Sequence, residues 1–367
     1  MQHVCLISTE ILGGGKSGGY GFVVRMIGSE LVKRGFKVSA VIPKPRGVTE
    51  TRTEIDGIDV RTYPRLAFAQ GIDLLREVDA DIYHSHEPNL GGWLAMRAMP
   101  HRRHIVTNQD PRLLRDWWIE LRHPTYSAAQ VLKTAAYYEN PLTRRSVRAA
   151  DAVMVPAHFL KQVVARKYGL SFEPTFMPTP IRIPASVEKA PTPTVCYVGR
   201  LDRRKRPELF LELASRFPDT RFICIGEAQD AGYDRYLRQR YGGRANLELV
   251  GFVDQFTDRR VTEWLAASWV LVNTSAREGL PNTFMEAAGH RCAILSAVDP
   301  DGFASRFGWH AAQGDYAAGL AALLEGDLWR SKGEAGFDYV SRHYEVGKAM
   351  DRQVELYASL AGGGARR

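Results

Sequence analysis

The sequence predicts an α/β protein made of two consecutive Rossmann-like domains. Three observations predict it. Short apolar runs alternate with helical stretches from Val4 to Pro156. Six prolines (174, 178, 180, 184, 191 and 193) then crowd into twenty residues. The same alternation starts again at Thr194 and runs to Ser296. Alternation of this kind implies parallel strands with helices on both faces. Proline fixes φ and removes an amide donor, so the crowded segment suits an extended link between domains.

The elements follow in order. VCLIS (4–8) is the first strand, and a Gly-rich loop follows it. A helix from Gly19 to Arg34 buries a stripe of Val24, Ile27, Gly28 and Leu31 at i, i+3, i+4, i+7. Gly35 ends that helix, a residue favoured just beyond a helix C-terminus. KVSAVIP (37–43), DIYHSH (81–86), HIVTN (104–108) and AVMVP (152–156) are the further strands of the first half. TVCYVG (194–199), RFICIG (221–226), LELVGF (247–252), WVLVN (269–273) and CAILS (292–296) are those of the second. These runs divide the chain into a first domain over 1–180, a Pro-rich linker over 181–193 and a second domain over 194–345. An amphipathic stretch over 346–360 returns to the first domain.

The chain has 367 residues, 45% hydrophobic and 25% charged. That is ordinary for a globular protein and excludes wholesale disorder. No apolar run reaches the roughly 18 residues of a spanning helix, and the first ten residues do not read as a secretory signal. The four cysteines, Cys5, Cys196, Cys224 and Cys292, form no C-x-x-C pair and lie in strand-like runs. Buried reduced thiols in a cytoplasmic protein are the expectation. The net charge is +8. Most of that excess falls between Arg97 and Arg148, where ten Lys/Arg outnumber four acids. A basic surface of this kind suits an anionic partner.

The loop Gly13–Gly19 matches several glycine patterns and satisfies none. A dinucleotide fingerprint needs its first Gly tight against the strand and an acid closing the second strand, but that strand ends in IPKP. A Walker A loop needs Gly where Glu10 stands. A nucleophile elbow needs Ser17 on a tight strand-to-helix turn, and the strand has already ended. What survives is physical: glycines let backbone N–H groups approach an anion ahead of a helix.

The second half holds the informative constellation. VGRLDRRKRP (198–207) puts Arg200 and Lys205 at the C-terminal end of a strand, where α/β folds bind ligands and where two cations suit a diphosphate. In REGLPNTFMEAAGH (277–290), Pro281 is expected at the first helical position. Backbone N–H groups of Asn282, Thr283 and Phe284 would then face an anion. Glu278 lies before that helix and Glu286 one turn inside it. LELVGFVD (247–254) ends beside them, and its backbone, Val253 included, suits reading a nucleobase edge.

R-x4-K after the opening strand of the second domain, with E-x7-E in an EGLPN…E setting, resembles the retaining glycosyltransferases of family four, which have the GT-B fold: two Rossmann-like domains facing each other across a cleft. The resemblance covers nearly the whole chain, including the Gly-rich loop and DIYHSHEPN (81–89). It implies a hexose moved from a UDP- or GDP-sugar to a hydroxyl acceptor in surface polysaccharide or glycolipid synthesis. Arg200 and Lys205 would hold the diphosphate and stabilise charge on the leaving nucleotide. Glu278 would bind hydroxyls of the donor sugar and Glu286 those of the ribose. Gly199 and the backbone of Asn282–Phe284 would complete the donor site, with Gly14 and Gly15 approaching from the opposite domain. No metal and no cofactor are implied, since the Arg/Lys pair and the helix end replace a divalent cation. No enzymic base is implied either, because in retention the donor's own phosphate oxygen takes the acceptor proton. Relatives often carry a His near the sugar's hydroxymethyl group, where Asn108 or Gln109 stands here. His86, at the end of a neighbouring strand, joins them as a candidate on the acceptor or sugar side.

RLLRDWWIELRHP (112–124) mixes arginines with Trp117 and Trp118. It suits a membrane interface and a lipid-linked acceptor, or an amphipathic helix whose Trp pair packs inside the domain. No nucleic-acid module is present. A sugar-nucleotide epimerase of the same fold and a non-catalytic scaffold of that fold are the competing expectations.

Overall fold

The computed structural model describes residues 1–13, 18–45 and 47–362. The chain forms two compact units: Met1–Pro111 with Leu132–Pro180 and Gly347–Arg367, and Arg112–Val131 with Ile181–Val346.

The first unit is built on β1 (His3–Ile7), α1 (Gly19–Lys33), β2 (Lys37–Pro43), β3 (Arg52–Ile55), β4 (Ile58–Tyr63), α2 (Phe68–Val78), β5 (Ile82–Ser85), α3 (Leu90–Ala98) and β6 (Arg103–Thr107). After α4 (Leu114–Arg122), which clusters with the second unit, come α5 (Ala128–Tyr138), α6 (Pro141–Ala149), β7 (Ala152–Val155), α7 (His158–Tyr168) and β8 (Thr175–Phe176). Eight strands lie in the order β3-β4-β2-β1-β5-β6-β7-β8, parallel except for β3 against β4. That hairpin is missing from the sequence reading. Its signal is Asp56-Gly57, both at positive φ, 50° and 79°, as a two-residue hairpin turn requires. The core on one face joins Cys5, Ile7, Tyr63, Leu75 and Leu94.

The second unit contains β9 (Thr194–Val198), α8 (Pro207–Arg216), β10 (Arg221–Ile225), α9 (Ala231–Tyr241), β11 (Leu247–Gly251), α10 (Arg260–Ala267), β12 (Val270–Asn273), α11 (Asn282–Gly289), β13 (Ala293–Ser296), α12 (Phe303–Phe307), β14 (Gly308–His310), α13 (Tyr316–Leu324) and α14 (Leu328–His343). Its sheet has the order β11-β10-β9-β12-β13-β14. α15 (Val346–Gly362) clusters with the first unit from Gly347 onward. Its Tyr357 hydroxyl lies 2.7 Å from His84 Nδ1 and accepts from Gln353 Nε2 at 2.6 Å.

In both units the strand order reverses beside the first strand, between β1 and β5 and between β9 and β12. Open α/β sheets bind ligands at the carboxyl ends of the strands at such a reversal. The fold therefore points to the loops after β9 and β12 in the second unit, and to those after β1 and β5 in the first.

Two assignments from the sequence are corrected. Residues 112–131, read as part of the first domain, cluster with the second unit. Acids on α4 meet arginines of that unit: Glu120 lies 3.4 Å from Arg204 and 3.3 Å from Arg277. Pairing of this kind, 157 residues apart for Glu120 and Arg277, leaves no local trace in the sequence. The Pro-rich stretch 181–193 also belongs to the second unit rather than lying between the two. Lys189 anchors it there, donating from Nζ to His290 O at 2.7 Å and to the carbonyl of Ser268. All four cysteines are free and buried. Among the described residues no helix is long and apolar enough to cross a membrane.

Candidate functional site

At the reversal point of the second unit, β9, β10 and β11 end in glycines. Gly199 donates its N–H to Ile225 O at 3.0 Å, and Gly226 donates to Gly251 O at 2.8 Å. Gly226 has φ +139°, and a Cβ there would sit 1.9 Å from Gly199 O. No side chain fits, so the backbone at these strand ends stays bare and close-packed. Val253 follows β11, half-buried.

The basic run after β9 divides sharply by role. Arg203 donates to Asp230 and lies over the Tyr233 ring, 4.3 Å from its centroid. Arg204 is buried and donates to Arg277 O at 3.1 Å. Arg206, held at φ 47°, donates to Thr274 O at 2.7 Å and Ser275 O at 3.2 Å. Arg204 and Arg206 hold the loop against the segment after β12, which answers through Ala276 N–H to Arg204 O at 3.0 Å and Thr274 Oγ1 to Lys205 O at 2.6 Å. The two cations of the R-x4-K pattern are employed differently. Arg200 is partly exposed and pairs with buried Asp202 at 3.2 Å. Lys205 forms an ion pair and hydrogen bond with Glu278. Burial pulls the Lys205 amine below its ordinary value, against the opposing pull of Glu278. Burial pushes the Glu278 carboxyl up, but the charges of Lys205 and Arg204 outweigh it and hold the group below the usual carboxylate range. The pair is a half-buried ion pair.

α11 begins at Asn282, one residue later than the sequence implies. Pro281 is the residue before the helix, at φ −63° and ψ 126°, with extended rather than helical ψ. One further expectation fails for a related reason. Phe284 donates its N–H to Pro281 O at 3.0 Å, closing the first turn, so that amide is not available to an anion. Asn282 and Thr283 are the first helical residues, whose N–H groups have no acceptor in the preceding turn, and both are half-buried. Phe284, Met285, Ala287 and Ala288 bury the opposite face, which fixes where the helix start points. Glu286 is 7% exposed, and burial raises its carboxyl to about 7. Its partner is Gln255, which donates from Nε2 at 3.3 Å. The sequence reading missed Gln255; its signal is the position two residues after Val253, on the loop already singled out.

In the first unit, Gly14 and Gly15 lie outside the described residues. His86 and Asn108 follow adjacent strands β5 and β6, and both are fully buried. Neither ring nitrogen of His86 and neither polar side-chain atom of Asn108 has a hydrogen-bond partner among the described residues. Burial lowers the His86 imidazole to about 3, so it is neutral. Gln109 is half-buried. Glu87, also buried, accepts from Thr9 N at 2.8 Å and Tyr138 Oη at 2.8 Å, tying the loop after β5 to the loop after β1. Sequence reasoning did not single out Glu87, although it lies within the quoted DIYHSHEPN segment.

The Trp pair of α4 is split. Trp117 is buried, under the Arg112 guanidinium at 5.2 Å, whereas Trp118 is 66% exposed.

Two Rossmann-like sheets, with a paired Lys and Glu at a strand reversal and a buried acid one turn inside the adjoining helix, define an α/β protein with a candidate ligand site at that reversal. Comparison with known proteins makes the class specific. The model described as Glycosyltransferase Family 4 matches residues 17–181, and the model described as Glycosyl transferases group 1 matches residues 192–325. The chain belongs to this family and is a glycosyltransferase of the GT-B fold. Among similar solved structures is a sucrose-phosphate synthase from Thermosynechococcus elongatus, with TM-score 0.72 and 18% identity, covering 98% of this chain and 99% of that one. HepE of Anabaena, solved with UDP and glucose, has TM-score 0.70 and 14% identity, covering 97% and 99%. The catalytic domain of starch synthase IV from Arabidopsis thaliana, bound to ADP and acarbose, has TM-score 0.64 and 12% identity, covering 99% and 100%. No curated protein matches the sequence.

Proposed function

We propose that the protein transfers a hexose, with retention, from a nucleotide-diphosphate sugar to a hydroxyl acceptor of a surface polysaccharide or glycolipid. The observation that carries this reading is the half-buried Lys205–Glu278 couple beside Arg200 at the strand reversal of the second unit. Arg200 and Lys205 take the diphosphate and stabilise the charge that builds on it as the glycosidic bond breaks. The Asn282 and Thr283 N–H groups add the positive end of α11. Glu278, released from Lys205 by the incoming phosphate, accepts hydrogen bonds from sugar hydroxyls. Glu286 accepts from the ribose, and the bare backbone from Gly226 to Val253 accommodates the base.

Two fixed cations and a helix start supply the positive charge that a divalent ion supplies elsewhere, so the reaction needs no metal. The acceptor proton leaves on the departing phosphate oxygen, and no protein base is assigned. His86, Asn108 and Gln109 serve the sugar or acceptor side. HepE, solved with UDP, and starch synthase IV, solved with ADP, differ in base, so UDP and GDP stay as the first donors to test and ADP is added. Free buried thiols fit a reducing cytoplasm. The exposed Leu114 and Trp118, with Arg115 and Arg122 on the same short helix, favour contact with the inner membrane face and a lipid-linked acceptor.

The test is a thermal-shift titration with UDP, GDP and ADP, and NAD as control, on the wild type and Glu286→Ala. A ligand at about 100 times its Kd stabilises by about 2.7 kcal/mol. Stabilisation by one nucleotide, lost in the variant, is expected. Silence from all of them, with folded protein, refutes the donor site and favours a non-catalytic scaffold.

A further inference from the structure

Glu120 lies in the Trp-containing segment 112–124 and has no role in the reading of that segment, yet buried arginines of the second unit converge on it. Its Oε1 lies 3.4 Å from Arg204 Nε, 3.3 Å from Arg277 Nη1 and 3.3 Å from Arg112 Nε. Asp116, one turn earlier on α4, lies 3.5 Å from Arg277 Nε. Arg204 and Arg277 are 8% and 6% exposed, and a guanidinium keeps its charge even when buried. Each is the chain neighbour of a site residue: Arg204 precedes Lys205, and Arg277 precedes Glu278. Arg204 also donates to Arg277 O, and Ala276 N–H donates to Arg204 O, so the two loops are tied to each other.

We propose that Glu120 is a positioning residue for the Lys205–Glu278 couple: by neutralising Arg204 and Arg277 it keeps Glu278 from being drawn to them. The functional meaning rests on the donor-site reading above. Without Glu120, Arg204 and Arg277 lose the carboxylate they share, and Glu278, the chain neighbour of Arg277, lies within the electrostatic reach of Arg204. An unpaired buried charge is costly, and rearrangement is the cheaper response. Glu278 turns toward Arg204, and Lys205 loses its partner.

A mere neighbouring charge makes the opposite prediction. Removing a negative group close to a diphosphate site raises the local positive potential and tightens nucleotide binding. Under the positioning role, removing Glu120 instead separates Lys205 from Glu278 and costs turnover.

The experiment uses the full chain and four proteins: wild type, Glu120→Gln, Glu120→Asp and the double variant Glu120→Gln/Arg204→Gln. The first readout needs no substrate: the rate of reductive methylation of Lys205 in the ligand-free protein, followed by mass spectrometry. The proposal expects about tenfold faster labelling in Glu120→Gln. It expects a return toward the wild-type rate in the double variant, where the guanidinium that draws Glu278 from Lys205 is gone and Arg277 keeps Asp116. Glu120→Asp, which keeps the charge but withdraws it by one methylene, falls between them and serves if Glu120→Gln does not fold. The second readout pairs UDP, GDP and ADP affinity with donor turnover. About tenfold lower kcat in Glu120→Gln, without tighter nucleotide binding, supports the proposal. Equal labelling in all four proteins, or tighter nucleotide binding with unchanged labelling, overturns it while the donor site stands. Labelling that responds as expected in a protein that binds no nucleotide supports the positioning and refutes the donor reading.

Discussion

Glu286 gives the sharpest quantitative prediction. Its carboxyl is 7% exposed, touches Gln255 at 3.3 Å and is raised from 4.5 to about 7 by burial. Below about pH 4.5 the group is protonated whether the chain is folded or unfolded, and folding is indifferent to it. Between about pH 4.5 and 7 the folded protein holds a proton that the unfolded chain has released, so stability falls as pH rises. Above about pH 7 the full penalty of about 3 kcal/mol is present. Glu286→Gln is nearly isosteric, carries no charge and still meets Gln255. The variant's advantage over the wild type should therefore be near zero at about pH 4.5 and grow to about 3 kcal/mol at about pH 8. At about 2–4 °C per kcal/mol for a unit of this size, the melting difference reaches roughly 6–12 °C. Circular-dichroism melts of both proteins across that range give the answer, because every other titrating group is common to the two. A melting difference that stays constant with pH refutes the argument. Nucleotide binding should move the other way: ribose hydroxyls favour the ionised carboxylate, so wild-type affinity rises with pH through about 7.

Two further perturbations probe the frame around the site. Gly226→Ala places a Cβ 1.9 Å from Gly199 O, where only a backbone shift can make room. It should destabilise by roughly 2–4 kcal/mol and weaken nucleotide binding, read by denaturant titration and thermal shift; an unperturbed protein would show that the strand ends are not close-packed. Tyr357→Phe removes the hydroxyl that His84 and Gln353 share. It should cost about 1–3 kcal/mol and raise amide exchange in α15 ahead of the rest of the first unit; uniform exchange would separate the helix from that hydrogen bond.

The sequence alone determined the alternation of strands and helices, because hydrophobic periodicity and helix-ending glycines act over a few residues. It also marked two candidate loops. R-x4-K and E-x7-E lie within short stretches bounded by a strand and a helix, and topology then puts both at the reversal between β9 and β12. The tertiary structure decided which partner each of five basic residues takes, with Arg200 on Asp202 and Lys205 on Glu278. Arg203, Arg204 and Arg206 are consumed by Asp230, Glu120 and the carbonyls of Thr274 and Ser275, and those partners come from distant segments. It decided that the Phe284 amide closes its own turn, a matter of one residue in helix register that proline at 281 left open. It decided that Trp117 turns inward and Trp118 outward, and that His86 and Asn108, each just past the end of one of two adjacent strands, are buried with their side-chain polar atoms unmet among the described residues. Above all it decided where residues 112–131 belong. Their apolar and basic pattern reads as a surface segment, but the attraction of Glu120 for two buried guanidiniums acts through space, and no pattern along the chain records it.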